Sequence, residues 1–548
     1  MMRITDTSDL WWKTAIFYNL NVETFMDWND DGVGDFEGLG QRLDYLEELG
    51  VTCLWLAPFY PSPREDNGYD ISDYFGVNER NGNLGDVVEV VRTAHDRGMR
   101  VIVDLVVNHT SVEHPWFQAA RSSRGNRFRE FYNWRDEVPE NGRANMFPDK
   151  EDGVWTFDER AGQFYEHSFY RHQPDLNTAN PVVREEIAKV IGFWLQLGID
   201  GFRVDAVPFL IEAEGENEHD YLRALRSYVG RRSGNGMMLG EVNLPYEDQE
   251  VYFGAHGNEL TMQFDFVANQ YLYLALARRD ATPLIEALST RPKISTANQW
   301  ANFVRNHDEL TLDQLSKDER TEVFDAFAPE ESMQIHGRGI IRRLPPMLGN
   351  DPRRVRMVYS LAFSLPGAPV LYYGEEIGMA EHADVPGRSA VRTPMQWSSE
   401  LNGGFSRADP EQLPLPLVEG GASPLHVSVA AQQNDPHSIL HFIRKLTAAY
   451  KKSPEIGWGT FEILEQEHSC IFAHRLTGET GQFIALHNFS AEPCRVSIEL
   501  GENNDISHIV DLLDDENAAL ADGLLEIDLS GYDYRWFRIV RPGEKRIL

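Results

Sequence analysis

Cysteine is almost missing from this chain: three in 548 residues, Cys53, Cys470 and Cys494. An odd count without metal-ligand spacing argues against a disulfide-built secreted scaffold and gives no zinc motif. Cys53, inside the apolar run VTCLWLAPF, reads as a small buried hydrophobe. Positive charge is also short, 51 Lys+Arg against 86 Asp+Glu, a net −35. Phosphate contacts need a basic surface, so nucleic acid is not an expected partner, and polyanionic substrates are disfavoured. No apolar stretch approaches the roughly 18 residues that span a bilayer. The opening MMRITDTSDLWWKTAIF lacks the basic and apolar regions of a signal peptide. The expectation is a cytoplasmic protein with no membrane partner; a homo-oligomer stays open.

What the chain does have is core-forming material, 42% hydrophobic residues with 12 Trp, 20 Tyr and 29 Phe, which excludes global disorder. Short apolar runs alternate with amphipathic helices over the first 455 or so residues. The strand candidates are 15–22, 52–59, 100–108, 201–207, 237–242, 260–266, 299–306 and 368–376. They are rich in Val, Ile, Leu, Phe and Tyr without clean alternation, as strands buried on both faces are. Eight of them predict a closed α/β barrel of the (β/α)8 TIM type. Helices are predicted over 181–197, with Asn180 as cap, Pro181 first and Gly198 as stop, and over 39–49 before Gly50. Residues 110–172 are far too many for a βα loop and predict a small inserted subdomain B after strand 3, over the face where barrel enzymes keep their sites. From 456 the pattern turns to short strands and tight turns. The predicted domains are a catalytic barrel of 1–109 and 173–455, the inserted 110–172, and a C-terminal antiparallel β-sandwich domain, 456–548.

Four acids stand at the ends of apolar strands: Asp104 in DLVVNHT, Asp205 in GFRVDAV, Glu241 in GEVN and Asp308 in FVRNHDE. A carboxylate there is costly unless it is paired or works. Two of them neighbour His109 and His307, and together they point to catalysis. Cleaving a glycosidic bond with retention needs one carboxylate as nucleophile and another as acid, then base. Arg203 lies two residues from Asp205, on the same strand face, and is expected to keep Asp205 ionised. Glu241, ending an apolar strand, is expected to be desolvated and protonated, the acid. Asp308 is then free to hold sugar hydroxyls and stabilise an oxocarbenium-like transition state. Separately, DWNDDGVGD (27–35) matches the opening of a calcium loop, with oxygens from Asp27, Asn29, Asp31 and Asp35 and the carbonyl of Val33. The twelfth position is Gly38, so it is not an EF-hand.

The segments DLVVNH, QPDLN, GFRVDAV, GEVN, FVRNHDE and GAPVLYYGEEIGM occur in the order found in the α-amylase superfamily, glycoside hydrolase family 13, which residues 1–455 resemble. The resemblance implies Asp205 as nucleophile, Glu241 as acid/base, Asp308 as transition-state stabiliser, and His109, His307 and Arg203 around the transferred glucose. It implies Tyr69 of GYDISDY as a stacking platform, Asp70 in the pocket for the terminal glucose, and Arg392 of RTPMQW paired with Asp70. It further implies Ca²⁺ or Mg²⁺ in the 27–35 loop. A second structural Ca²⁺ is implied at Asn108, Asp175, the carbonyls of Phe209 and Leu210, and Glu212. HQPDLN, VRTPMQW and GIIRRLPPMLGND most resemble the trehalose synthases, maltose α-D-glucosyltransferases that interconvert maltose and trehalose, so the substrates implied are maltose, trehalose and short maltooligosaccharides. After Glu241 the chain reads GEVNLPYED where those enzymes usually read EAN-Q-W, which leaves the acceptor open. Retaining the released glucose needs loops that shut out water, and 110–172 and 376–410 are the candidates. The alternatives are a hydrolytic α-glucosidase or amylase, and a non-catalytic carbohydrate-binding relative.

Overall fold

A computed structural model describes residues 10–140, 145–210, 219–479, 481–500, 506–514, 517–518, 520–521 and 524–540. Eight parallel strands close into a barrel: β1 (Phe17–Leu20), β2 (Cys53–Leu56), β3 (Arg100–Leu105), β4 (Gly201–Val204), β5 (Met237–Gly240), β6 (Met262–Phe264), β7 (Gln299–Phe303) and β8 (Ala368–Tyr372). Closure pairs Phe17 with Val370 across β1 and β8. Each strand lies within its predicted segment and is shorter, because the residues beyond it turn out over the barrel rim.

Period-two alternation sorts the strand residues once the barrel is closed. Phe17, Trp55, Ile102, Leu239, Met262, Phe264, Phe303 and Val370 pack together inside the barrel. Tyr18, Leu54, Val101, Val103, Phe202 and Met238 join the large core under the surrounding helices. Carrying the inward series one step further along each strand gives Asn19, Asp104, Arg203 with Asp205, and Glu241. The polar residues of the site are therefore the next layer of the barrel's own filling, at its C-terminal end.

The helices end where the sequence says they must. Asn180 accepts a hydrogen bond from the Val182 amide and Pro181 opens the helix Pro181–Gln196. Ser438 caps Ile439–Lys451 in the same way. The helix expected at 39–49 is two, Phe36–Gln41 and Leu43–Leu49, and starts earlier because Asp35 accepts from the Gly38 amide. Between β3 and β4 the chain forms a helix, Pro115–Ala120, and a three-stranded antiparallel sheet of Trp134–Arg135, Gln163–Glu166 and Trp155–Asp158. A second small sheet, Leu310–Thr311, Gly339–Ile340 and Gln334–Ile335, follows β7; no expectation covered it, since two-residue strands carry no readable alternation. Among the described residues no helix is long and apolar enough to cross a membrane.

The C-terminal strands form a six-stranded and a three-stranded antiparallel sheet around a shared core of Ile471, Ile484, Leu486, Val496, Ile498, Leu525 and Phe537. The larger sheet seals against the barrel helix Pro352–Ser364. The Trp536 indole donates to Ser360 Oγ at 2.9 Å, Ser360 lies 2.9 Å from His487 Nε2, and His474 Nε2 is 2.9 Å from the Ser364 carbonyl. Burial pulls His474 and His109 down to about 4, His114 to about 3, and His487 well below the ordinary range. Each is neutral in the folded chain and protonates near 6.5 when unfolded. Their contribution is thus present above about pH 6.5 and lost as pH falls toward 4, by up to roughly 1.4 kcal/mol per pH unit for each histidine. Urea midpoints should fall steeply across that window; a flat profile between pH 6.5 and 4 would show these imidazoles accept protons without unfolding.

Candidate active site

Arg203 is the hub of the site. Its Nη1 lies 2.6 Å from Asp104 Oδ1 and in very short contact with Asp205 Oδ1, while Nη2 lies 2.9 Å from Glu241 Oε2. One buried guanidinium thus faces acids from three adjacent strands, β3, β4 and β5. The Trp55 indole of β2 donates to the other Asp104 oxygen at 2.7 Å, and its ring lies 5.4 Å from the guanidinium carbon. Past Asp205 the chain turns sharply: Ala206 has φ +46°, left-handed backbone at a residue with a side chain. That turn aims the Ala206 amide at Glu241 Oε2, 3.1 Å away.

Asp308 belongs to a different electrostatic setting. It lies 2.9 Å from Arg392 Nη2, 3.2 Å from Arg388 Nη1 and 3.1 Å from His307 Nε2. Burial acts to raise its carboxyl, but His307, Arg388 and Arg392 outweigh that and hold it well below the usual carboxylate range. Asp205 is opposite. Burial, with the charges of Glu241, Asp104 and Asp308, pushes it well above the usual range against the pull of Arg203. Asp205 was expected to be kept ionised by Arg203, and Glu241 to be the desolvated acid. Burial bears instead on Asp205: its side chain is 10% exposed and that of Glu241 26%, although each stands one residue past its strand. The two acids share the Arg203 cation, and the Glu241 charge is among the causes that raise Asp205.

Sugar-facing groups surround this cluster. Tyr69 Oη lies 2.7 Å from His307 Nε2, the two rings stacked at 12°, and His307 Nδ1 lies 3.2 Å from Asn19 Oδ1. His109 is buried, and its Nε2 has no hydrogen-bond partner among the described residues, a donor or acceptor left for a ligand. The expected Asp70–Arg392 pair does not form. Asp70 is fully buried and takes hydrogen bonds from Ser62 Oγ and the amides of Glu65 and Asp66, at 2.8, 2.9 and 3.2 Å. It shapes the 62–70 loop, and Arg392 goes to Asp308. The pocket carboxylate that sequence reasoning missed is Asp66, half-exposed, held by Gln173 Nε2 at 2.9 Å and acting electrostatically on His109 and Arg388. The motif DNGYD contains both acids; only the loop's own hydrogen bonding separates them.

The inserted segment is tied to the small sheet after β7 and, through Phe147, to Arg388 of the site. His336 Nδ1 donates to Asp149 Oδ1 at 2.7 Å, and Arg338 Nη2 donates to the Met146 carbonyl at 3.0 Å. Phe147 stacks on Tyr170 at 4.6 Å, lies 4.6 Å from the His336 ring and 5.5 Å from the Arg388 guanidinium carbon. Arg388 is itself gripped by Glu309 at 2.6 and 3.2 Å. The contacts join 145–149, within the expected loop 110–172, and Arg388, within the expected loop 376–410, to the small sheet after β7, which no expectation covered.

The expected cation sites differ from each other. In the 27–35 loop, Asp27 accepts from the amides of Asp30 and Gly32 and from Ser406 Oγ, Asn29 from Asp31, Asp31 from Val33, and Asp35 from Trp28, Asn29 and Gly38. The donors are hard oxygens of the right kind, already engaged in Asx turns. At the second site Asn108 donates to Asp175 at 3.1 Å and Thr178 donates to the Leu210 carbonyl at 3.0 Å; Phe209 lies beside them against Phe169, and Glu212 is outside the described residues. Asp175 also accepts from the Ser168 amide at 3.0 Å. Among the described residues no three His, Cys, Asp or Glu side chains group as metal ligands.

A closed parallel barrel with a nucleophile-type acid, a second acid on the same arginine and a third, strongly acidic carboxylate defines an enzyme of α-glycosidic bonds. The chain belongs to the α-amylase family: residues 20–335 and 341–459 match its catalytic domain, and 480–538 match the sucrose hydrolase-like C-terminal domain. It is 38% identical to a trehalose synthase of Pimelobacter sp. (strain R48), over 97% of this chain and 96% of that one. It is 40% identical to a trehalose synthase/amylase of Mycolicibacterium smegmatis, over 90% of this chain and 86% of that one. Among solved structures, the trehalulose synthase of Pseudomonas mesoacidophila MX-45 superposes with a TM-score of 0.77 at 25% identity, over 97% and 99% of the two chains.

Proposed function

We propose that this protein is a retaining glucosyl-transferring isomerase that interconverts maltose and trehalose. In the reacting form Asp205 is the carboxylate that Arg203 compensates and Glu241 carries the proton: Glu241 gives it to the glycosidic oxygen while Asp205 attacks the anomeric carbon, forming a β-glucosyl-enzyme and free glucose. Glu241 then takes the proton from the anomeric hydroxyl of the retained glucose as that oxygen attacks in turn, giving the 1,1-linked product. Asp308, anionic throughout, opposes the positive charge that develops at the ring, and His109, His307, Tyr69 and Asp66 hold the glucosyl hydroxyls.

The observation that carries the isomerase reading over hydrolysis is the latch of 145–149 onto 336–338 and, through Phe147, onto Arg388, which pairs with Asp308. Exclusion of water decides between glucose and water as acceptor. The similarity to trehalose synthases agrees with it. Purified protein incubated with maltose should yield trehalose as the main new sugar; glucose alone would establish the hydrolytic α-glucosidase. Opening the latch should move the balance. Asp149→Ala or His336→Ala is expected to raise the glucose-to-trehalose ratio about tenfold, equal to roughly 1.4 kcal/mol between the competing acceptors, with maltose consumption retained. An unchanged ratio would remove the latch from the account.

A divalent cation in the 27–35 loop is part of the same proposal. Its support is the D-x-N-x-D-G spacing and the closeness of Asp27 to Asp35, whose carboxyl is raised by burial first and also by the Asp27 charge. It has no step in the chemistry. Chelation should lower the melting temperature and added Ca²⁺ or Mg²⁺ restore it; a melt indifferent to both would leave the Asx turns as the loop's whole content. A cytoplasmic setting, supported by the sparse cysteine, completes the reading.

A further inference from the structure

Two of the three cysteines, far apart in sequence and assigned no role so far, converge. Cys470 immediately precedes the strand Ile471–Gly478 of the six-stranded sheet, and Cys494 opens the strand Cys494–Glu499 of the three-stranded sheet. Their sulfurs lie 3.5 Å apart across the edge of the sandwich, both half-buried. The neighbourhood is firmly held: the Cys470 carbonyl accepts from the Phe489 amide at 2.8 Å, the Ser469 carbonyl from the Ala281 amide of the barrel at 2.7 Å, and His468 Nε2 lies 3.0 Å from the Arg495 carbonyl. The sulfurs are already within about 1.5 Å of disulfide bonding distance. The remaining cysteine, Cys53, is fully buried in β2 and cannot compete.

We propose that Cys470 and Cys494 are a redox-active dithiol, a modification site at which a low-molecular-weight disulfide makes an intrachain bond that staples the two C-terminal sheets together. The step balances without a metal or other cofactor. One thiolate attacks a sulfur of the small disulfide, forming a mixed disulfide and expelling one small thiolate. The second cysteine thiolate then attacks the protein-side sulfur of that bond, closes the Cys470–Cys494 bond and expels the other. The chain loses two electrons and two protons, and the small disulfide is reduced to two thiols. Burial and the adjacent Cys494 push the Cys470 thiol up to about 11, so the exchange quickens as the solution is made alkaline. The bond would close a loop between residues 24 apart that contains most of one hairpin and the crossing between sheets, which restricts the unfolded chain.

The full-length protein treated with oxidised glutathione at pH 8, then unfolded and titrated for thiols, should drop from three thiols to one. Peptide mapping should find Cys470 linked to Cys494 within one chain, and dithiothreitol should reverse it. The melting temperature should rise by a few degrees with sugar turnover unchanged. In Cys470→Ser and, separately, Cys494→Ser, the remaining cysteine should stop at the mixed disulfide with glutathione. Three thiols after treatment would overturn the proposal. So would two stable glutathione adducts on the wild-type chain, or a bond between chains.

Discussion

Asp205→Ala is expected to lower turnover of maltose by more than about 10⁴-fold, on the order of 5–6 kcal/mol of transition-state stabilisation, and to leave the protein at least as stable as before. The two halves of that expectation have one origin. Asp205 is a nearly buried carboxylate whose charge is opposed by burial, by Glu241 and by Asp104, with Arg203 as its compensation. Such an arrangement is held for reactivity at a cost in stability, and removing one of three acids around one cation relieves repulsion. Steady-state rates on maltose and a thermal melt of the same sample check both. Residual turnover within tenfold of wild type would mean that the glucosyl group is carried elsewhere, and a large loss of stability would mean that the site is not strained.

Arg203→Met is expected to fail differently. The side chain keeps most of its volume, but Asp104, Asp205 and Glu241 lose the cation they share. Breaking a buried pair from one side typically costs about 3–5 kcal/mol, so the urea midpoint should drop sharply and activity should vanish with it. A second change separates charge from packing. Adding Asp104→Asn removes one of the stranded carboxylates while keeping the Trp55 hydrogen bond to an oxygen, and should recover part of the stability and none of the turnover. If Arg203→Met melts like the wild type, the guanidinium is a bystander and the hub described above is wrong.

The barrel was legible because its strands are short, apolar and separated by helices with readable caps such as Asn180. Asp205, Glu241 and Asp308 were legible because a carboxylate ending an apolar strand has few structural reasons to be there. What failed to show was whatever depends on a third partner. Asp66 and Asp70 lie four residues apart in one motif, and only Ser62 and two amides decide which of them is buried in its own loop. Arg392 shares the Asp308 carboxylate with Arg388, which Glu309 also holds. Asp205 and Glu241 stand level at the ends of paired strands, so their different exposure depends on surroundings that neither strand's own residues announce. Cys470 and Cys494 meet only because two sheets stack, and spacing along the chain carries no trace of that.

Barrel closure sets when the protein can work. β1 hydrogen-bonds to β8, joining Phe17 to Val370, and the groups around the sugar come from β1, β2, β3, β4 and β5 and from beyond β7. A ribosome-bound chain that has emerged just past Asp308 has the three acids and no closed ring to hold them, with β8, Arg388 and Arg392 still to come. Contacts that distant in sequence form late, so sugar turnover should appear all at once during refolding, without a partly active precursor. Enzyme activity is then a direct clock for completion of the ring.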